Sequence, residues 1–371
     1  MKKKYIIFSI VTLVLLVSFL SYSKYLKTTN VCKEDVKPTK ITKGISMNLE
    51  QTAGAGDYKT VTQSSWPTEG YVFNAELSRC ENGSEISWDD TKKAVIVSGN
   101  LSDKCYVYFD IYQPTLTEYI KSQYTGTQGD NALYYHNSTL TNGAGDNSYR
   151  YAGASDSVNN YICLGSDATT CPDANLFRII GVFGDQTKVI RAKSVGNQQW
   201  HTSQVNTWST SSLNTYLNGE YLTSLGTLAE KIATTTRKVG EGSGSNISGS
   251  VPKTAYQYEV GSSASTTTVD KKIGLMYVSD YGFAADPSGW TTKLSSYKSN
   301  TSKNWLYLGS DEWTISRNSD NSYFAFAVYS TGNVNYFNVL NSYAVRPVFN
   351  LLSSTNYVSG SGSMSDPVRV N

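Results

Sequence analysis

The side chains best suited to recognition chemistry are concentrated near the C-terminal end of the chain, in residues 312–351. This stretch is rich in Tyr, Asn, Ser and Phe, which combine contact area with hydrogen bonding at a small entropic cost, as in antibody paratopes. An ordinary polar β-surface without a ligand is the alternative. We predict a ligand-binding patch of eight side chains: Tyr323, Tyr329, Asn333, Asn335, Tyr336, Asn338, Asn341 and Tyr343.

Catalytic chemistry has weaker support in the sequence. Asp311 or Glu312 could supply one acid of a glycosidase pair, but adjacent acids usually form a solvated turn. His136 and His201 are far apart, and neither has a nucleophile motif beside it. The chain contains no G-x-S-x-G, H-E-x-x-H or Walker motif. We therefore expect a protein that is not an enzyme and needs no cofactor, with a cell-envelope carbohydrate-active enzyme as the alternative.

The sequence does not favour a metal or anion site either. The acidic residues of the Gly/Asn-rich loops lack the dense spacing of a calcium-binding loop. The chain has no Cys-x-x-Cys pair of the kind found in zinc sites. Arg178 and Arg346 lie on apolar strands, where we expect hydrogen-bonded structural roles. We therefore predict no metal ligands.

The charge distribution argues against a nucleic-acid partner. The formal net charge is +2, but residues 1–30 contain five Lys and no acid. The remaining residues contain 27 basic and 30 acidic side chains and are slightly acidic. Binding to phosphate backbones needs a basic surface, which this distribution does not provide.

An apolar segment near the N-terminus predicts a membrane anchor. Lys2, Lys3 and Lys4 precede an uncharged run of 18 residues, 5–22, and about 20 residues span a bilayer. The flank lacks a small-x-small cleavage site, which favours an uncleaved signal-anchor over a cleaved signal peptide. The N-terminal lysines would stay cytoplasmic. The expected location is a bacterial cell membrane, crossed once, with the C-terminal domain outside.

An extracellular location permits disulfide bonds between the five cysteines. Local grouping pairs Cys80 with Cys105 and Cys163 with Cys171, and leaves Cys32 over. Spacing alone does not settle this connectivity.

Hydrophobic patterns predict the elements that carry these residues. Alternating segments with turns predict three strands at 323–330, 334–339 and 343–351, and a hairpin at 176–192 around Gly184-Asp185. In the strand 323–330, we expect Phe324, Phe326 and Val328 to face the core and the alternate side chains to face outward. Apolar residues at helical spacing predict a helix over 209–225, capped by Ser211 or Thr210.

Two motifs carry a family resemblance over residues 116–351. They are Trp-Ser-Thr-Ser-Ser-Leu-Asn-Thr-Tyr-Leu-Asn at 208–218 and Val-Arg-Pro at 345–347. The segment resembles a bacterial surface domain family of unknown function. It is also similar to C-type-lectin-like domains of the formylglycine-generating-enzyme type, which include the variable proteins of diversity-generating retroelements. The resemblance implies an α+β C-type-lectin-like fold. The strand that contains Trp313 and the strand that contains Val345-Arg346-Pro347 would then lie in the core. The Glu-Pro-Asn calcium motif of sugar-binding lectins is absent, so calcium-dependent sugar binding is not implied.

Together these patterns predict a fold class of an N-terminal transmembrane helix, a small all-β module and an α+β C-type-lectin-like C-terminal domain. The expected function is a membrane-anchored bacterial surface protein with a non-catalytic, adhesin-like ectodomain that binds a protein or glycan. The predicted divisions are a cytoplasmic tip and anchor at 1–30, a stalk at 31–45, a β-module at 46–113 and the lectin-like domain at 114–371 with a flexible insertion at 238–270.

Overall fold

The computed structural model describes residues 33–36 (backbone only), 44–62, 66–67, 69–100 and 102–371. The chain divides into two compact units, Met1–Gln113 and Pro114–Asn371. Each unit is described by itself.

The described part of the first unit is built from strands in two sheets. Strands of one sheet pair in the order β1-β6-β5, and those of the other in the order β3-β2-β7-β4. The strands are β1 (Lys33–Val36), β2 (Ile45–Glu50), β3 (Tyr58–Val61), β4 (Tyr71–Cys80), β5 (Glu85–Asp89), β6 (Ala94–Ser98) and β7 (Cys105–Ile111).

Alternating apolar side chains of these strands form a small separate core. Met47, Val95, Val107 and Phe109 are fully buried in it. A disulfide joins Cys80 to Cys105, which face each other in the register of β4 and β7. Because a core of this size is marginal, the cross-link stabilises the module by restricting its unfolded chain.

The second unit contains most of the described residues, and β-strands dominate it. They are β8 (Leu133–Tyr135), β9 (Tyr149–Tyr151), β10 (Tyr161–Cys163), β11 (Leu176–Phe183), β12 (Gln186–Arg191), β13 (Asn197–Gln199), β14 (Thr235–Lys238), β15 (Glu241–Gly242), β16 (Thr268–Lys271), β17 (Ile273–Gly274), β18 (Glu312–Asn318), β19 (Phe324–Val328), β20 (Val334–Asn338), β21 (Ser342–Ala344), β22 (Val348–Asn350), β23 (Tyr357–Ser359) and β24 (Val368–Val370).

Two large sheets organise these strands. The first follows the order β17-β22-β12-β11-β10-β24-β23, with β9 on β11 and β8 on β9. The second follows the order β13-β21-β18-β19-β20, with β15 on β18, and β14 pairs with β16 separately. Large side chains from both sheets belong to one continuous core, including Phe177, Phe349, Trp313 and Phe326. The predicted hairpin around Gly184-Asp185 is confirmed as β11 and β12.

The helices of the second unit are short. Ser211 caps the second helix by accepting a hydrogen bond from the Asn214 amide, as its position in the sequence predicts. The α-helices are α1 (Leu116–Ser122), α2 (Ser212–Tyr216), α3 (Leu222–Ser224), α4 (Pro252–Glu259) and α5 (Val278–Phe283), and a π-helical turn (Leu217–Tyr221) joins α2 to α3.

The α+β class predicted for the C-type-lectin-like domain at 114–371 is wrong. Strands outnumber helices throughout the described chain, whose longest α-helix, α4, has eight residues. Frequent Gly, Asn and Ser interrupt the apolar runs and favour turns between short strands over long helices.

The segment 238–270, predicted as a flexible insertion, contains regular elements in the structure. This segment contains β15, α4 and part of β16, and it buries Val239, Ile247, Ala255 and Glu259. Its Gly and Ser content predicts a loop, whereas these buried side chains pack into the protein.

The predicted single-pass membrane topology requires correction as well. None of the helices in the described part of the chain is both long and apolar enough to cross a bilayer. The apolar segment within residues 1–30 lies outside the described residues. The structure therefore does not support the predicted anchor, the predicted membrane partner or the predicted location in a bacterial cell membrane.

Both predicted disulfides are present. Besides Cys80–Cys105, a second bond joins Cys163 to Cys171 across a short loop. Two such bonds in one chain are typical of proteins that fold in an oxidising compartment.

Candidate functional site

The predicted binding patch lies on a hairpin of the second sheet. Strands β19 and β20 pair antiparallel, with Phe326 opposite Tyr336, and a tight turn connects them. In this turn the Tyr329 amide donates to the Asn333 carbonyl at 2.8 Å. Gly332 has φ of +90°, and a Cβ there would lie 2.2 Å from the Thr301 methyl group. Glycine is therefore required at this turn for both its conformation and its size.

The prediction that alternate side chains of β19 face outward is wrong. We expected Ala325 and Ala327 on an outward face, but both are fully buried, as is Phe326 on the other side. The strand lies between β18 and β20, and side chains cover both of its faces. A strand buried on both faces shows a nearly continuous apolar run, and Phe-Ala-Phe-Ala-Val fits that pattern.

One face of this sheet carries a row of aromatic rings. The ring centroids of Tyr329 and Phe337 are 4.5 Å apart, those of Phe337 and Tyr343 are 5.5 Å apart, and those of Tyr343 and Trp313 are 4.7 Å apart. Trp313 is buried, whereas the other three rings are partly exposed. We call these four residues the aromatic face. Their spacing is that of favourable aromatic pairs, which hold one another in place.

Tyr336 lies on the other side of β20. Its ring packs against Phe324 and Phe326, at centroid distances of 5.5 and 6.0 Å, and it is 39% exposed. Gly244 approaches it so closely that a Cβ there would lie 2.8 Å from the ring. The structure therefore separates Tyr336 from Tyr329 and Tyr343, although all three were predicted for one patch. Tyr323, 47% exposed, lies just before β19.

The predicted asparagines mainly support the backbone. The Asn333 side-chain oxygen accepts from the Lys298 amide at 2.8 Å, and that of Asn338 accepts from the Leu340 amide at 3.0 Å. Asn335 is exposed and its oxygen accepts from the next amide along the strand. Asn341 donates to the Tyr343 hydroxyl at 2.8 Å and so fixes the edge of the aromatic face. These contacts are typical of asparagine in turns.

The residues proposed for glycosidase chemistry are committed to other contacts. Glu312 is 1% exposed, and Arg346 donates to its two oxygens at 2.7 and 2.8 Å. Burial raises the pKa of Glu312, and the Arg346 guanidinium opposes that shift. A raised pKa suits a general acid, but this carboxyl group is enclosed and fully bonded. The Asp311 carboxylate accepts from the Ser330 amide at 2.7 Å.

The remaining polar candidates, Arg178, His136 and His201, are buried side chains. Arg178 is buried and donates to the side chains of Asn160 and Ser155, which confirms its predicted structural role. His136 and His201 are both buried. Burial lowers the pKa of both imidazoles, so they are neutral at pH 7. Within the described residues, no group of three or more His, Cys, Asp or Glu side chains is placed to hold a metal ion.

A second group of polar residues, which the sequence analysis missed, surrounds a cavity between β12, β14, α4 and α5. The available signal was a charged residue inside an otherwise buried strand pattern, as in Tyr-Arg-Tyr at 149–151 and Thr-Lys-Val-Ile at 187–190. We call it the basic cavity. Its charged lining residues are Asp146, Arg150, Lys188, Arg237, Lys238 and Asp280.

Comparison with known proteins gives one partial match. Residues 184–353 match the model of a domain of unknown function, DUF6273, and this segment is less than half of the chain. It contains the whole aromatic face and both sequence motifs at 208–218 and 345–347. No curated protein and no solved structure matches the chain.

Proposed function

We propose that the second unit is a non-catalytic ligand-binding domain and that the aromatic face contacts its ligand, a protein or a glycan. The observation that supports this most directly is the unbroken row of partly exposed rings formed by Tyr329, Phe337 and Tyr343. Aromatic side chains at a surface contribute a large contact area and often dominate binding energy.

Contacts within the protein position the rings of the aromatic face before any ligand arrives. Trp313 is buried beneath Tyr343, and its indole donates to the Gln198 carbonyl at 2.9 Å. Asn341 fixes the Tyr343 hydroxyl. Because these rings already occupy fixed positions, binding would require little further loss of conformational entropy.

The chemistry of the face suits recognition better than proton transfer. Burial raises the pKa of Tyr343, so its hydroxyl stays neutral at pH 7 and can serve as both donor and acceptor. Exposed amide groups such as Asn335 lie next to the rings on the same hairpin. A mixture of aromatic rings and neutral polar groups is typical of binding surfaces with adaptable hydrogen bonding.

The proposal is tested by screening the purified protein on a glycan array and on a protein array. Wild type should bind a defined subset of one array. The double variant Tyr329→Ala/Tyr343→Ala should lose that binding while its circular dichroism spectrum and Tm stay close to wild type. Tyr336→Ala, a tyrosine on the opposite side of the same sheet, is the matched control and should keep it.

Two results would count against the aromatic face. One is a wild-type protein that binds neither array above background. The other is a ligand whose binding is lost in Tyr336→Ala and kept in the double variant.

A further inference from the structure

The basic cavity is a partly open cleft with a volume of about 290 Å³, and it lies within the second unit. It shares no residue with the aromatic face. Four of its charged lining residues are cationic and two are anionic. The anionic residues are Asp146 and Asp280, so the lining carries an excess of positive charge.

Two of the cations have carboxylate partners. Arg150 lies 2.7 Å from Asp146 and 3.5 Å from Asp280, and Lys188 lies 2.5 Å from Asp280. Aromatic rings fix both cations further: Phe183 lies 4.6 Å from the Arg150 guanidinium, and Tyr277 lies 4.8 Å from the Lys188 ammonium. These two cations are neutralised and held in place by the protein itself.

Arg237 differs from them. It is 7% exposed, and in the part of the chain that the structure describes no carboxylate lies within 4.0 Å of its guanidinium. One of its terminal nitrogens donates to the Lys272 carbonyl at 3.1 Å, while its buried Nε has no hydrogen-bond partner. A buried charge with an unused donor is costly unless something supplies the missing acceptor.

The neighbouring Lys238 adds to this excess of positive charge. It lines the same cavity, and its ammonium donates to the Gly261 carbonyl at 3.4 Å. Phe183 and Val260 complete an apolar wall. Because Arg237 is itself largely buried, attraction between its guanidinium and an oxyanion is screened less than between two fully exposed charges.

We propose that the basic cavity binds a small oxyanion, a carboxylate or a phosphate, with Arg237 as the residue that contacts it directly. A guanidinium suits either group because it stays charged and has terminal N–H donors besides the one given to the Lys272 carbonyl. The apolar wall would receive a short hydrocarbon group of the same ligand. This site goes beyond the ligand contact proposed for the aromatic face and does not depend on it.

The test measures thermal unfolding of the whole protein at pH 7 and constant ionic strength, with sodium chloride replaced stepwise by sodium propionate or sodium phosphate. A ligand that binds only the folded state raises Tm with its concentration. General salt effects act on every variant alike, so the comparison between variants isolates the site. Wild type should gain several degrees more with propionate or phosphate than Arg237→Met does.

Arg79→Met is the matched control. Arg79 is an exposed arginine of the first unit that also donates to a backbone carbonyl, that of Leu77 at 3.1 Å. This variant should keep the full wild-type response. A response to propionate alone identifies a carboxylate site, and a response to phosphate alone identifies a phosphate site.

Equal responses in wild type and Arg237→Met would overturn the proposal, because Arg237 would then serve only to hold the Lys272 carbonyl. If Arg237→Met does not fold, Lys238→Met at the half-buried edge of the cavity takes its place and should reduce the response severalfold. Isothermal titration of wild type with both salts provides a direct measurement. Absence of any heat above dilution with both would equally refute the site.

Discussion

The aromatic face and the basic cavity are built in opposite ways. The face consists of neutral rings from residues 313–343, close together in sequence, on one side of one sheet. The cavity draws buried charges from residues 146–280, which lie on several separate elements. Local side chains can form a surface without much energetic cost, whereas buried charges need partners supplied by the whole fold. The two regions should therefore respond very differently to substitution.

The largest expected effect is in the basic cavity. Asp280→Asn leaves Lys188 and Arg150 without one shared carboxylate in a buried setting. Breaking a buried pair in this way costs about 3–5 kcal/mol of unfolding free energy. Chemical denaturation with urea measures it. The control is Asp173→Asn, whose pair with Lys193 is about as short but exposed, with side chains 63% and 60% accessible. That change should cost less than about 1 kcal/mol.

A similar cost for both variants would contradict this difference. It would mean that the cavity is hydrated well enough for its charges to behave as surface charges do.

A smaller effect is expected at Glu259, a buried carboxyl group bonded to both α5 and β18. This buried carboxyl group accepts from the Val278 and Ser279 amides at 2.8 Å, beside the cavity, and from the hydroxyl of Ser316 on β18. Burial raises its pKa to about 7, against the effect of these donors. In the unfolded chain the same group titrates near its ordinary value of 4.5.

The sign of the pH dependence follows from these two values. Between them the folded state binds a proton that the unfolded state has lost, so unfolding free energy falls as pH rises from about 4.5 to about 7. The loss is about 3 kcal/mol, since one pKa unit corresponds to about 1.4 kcal/mol. Urea denaturation at a series of pH values should show this slope in wild type and a flatter one in Glu259→Gln. An identical slope in both proteins would assign the dependence to another group.

The smallest effect is expected on the aromatic face. The contact between Tyr329 and Phe337 is edge-to-face, with the ring planes at 88°. A double-mutant cycle with Tyr329→Ala and Phe337→Ala should give a coupling energy of about 0.5–1.5 kcal/mol. A coupling energy near zero would show that the two rings do not stabilise one another. The aromatic face would then not be held in place by its own ring contacts.

The same contrast explains what the sequence could predict. The Ser211 cap and the Gly184-Asp185 hairpin depend on residue types at short spacing, which a single sequence displays directly. The split of Tyr336 from Tyr329 follows from the register that places Tyr336 opposite Phe326, and the sequence alone did not fix that register.

The charged residues of the cavity were missed for a related reason. Lys188 and Asp280 are 92 positions apart and meet only after β12 and α5 pack together. Likewise, nothing in the Gly- and Ser-rich composition of 238–270 reveals that Glu259 lies in the core. Long-range burial decides these positions, and local propensity carries no information about it.

The central claim, that ligand contact is made by the aromatic face, is tested most directly by the dissociation constant of the array-selected ligand for three proteins. Isothermal titration would compare wild type, Tyr343→Ala and Tyr336→Ala. Loss of a central aromatic contact of about 1.4 kcal/mol or more weakens binding at least tenfold, and we predict that change for Tyr343→Ala. Tyr336→Ala should stay within about twofold of wild type, since rim or remote contacts contribute little. Equal losses in the two variants, or a loss confined to Tyr336→Ala, would contradict the account.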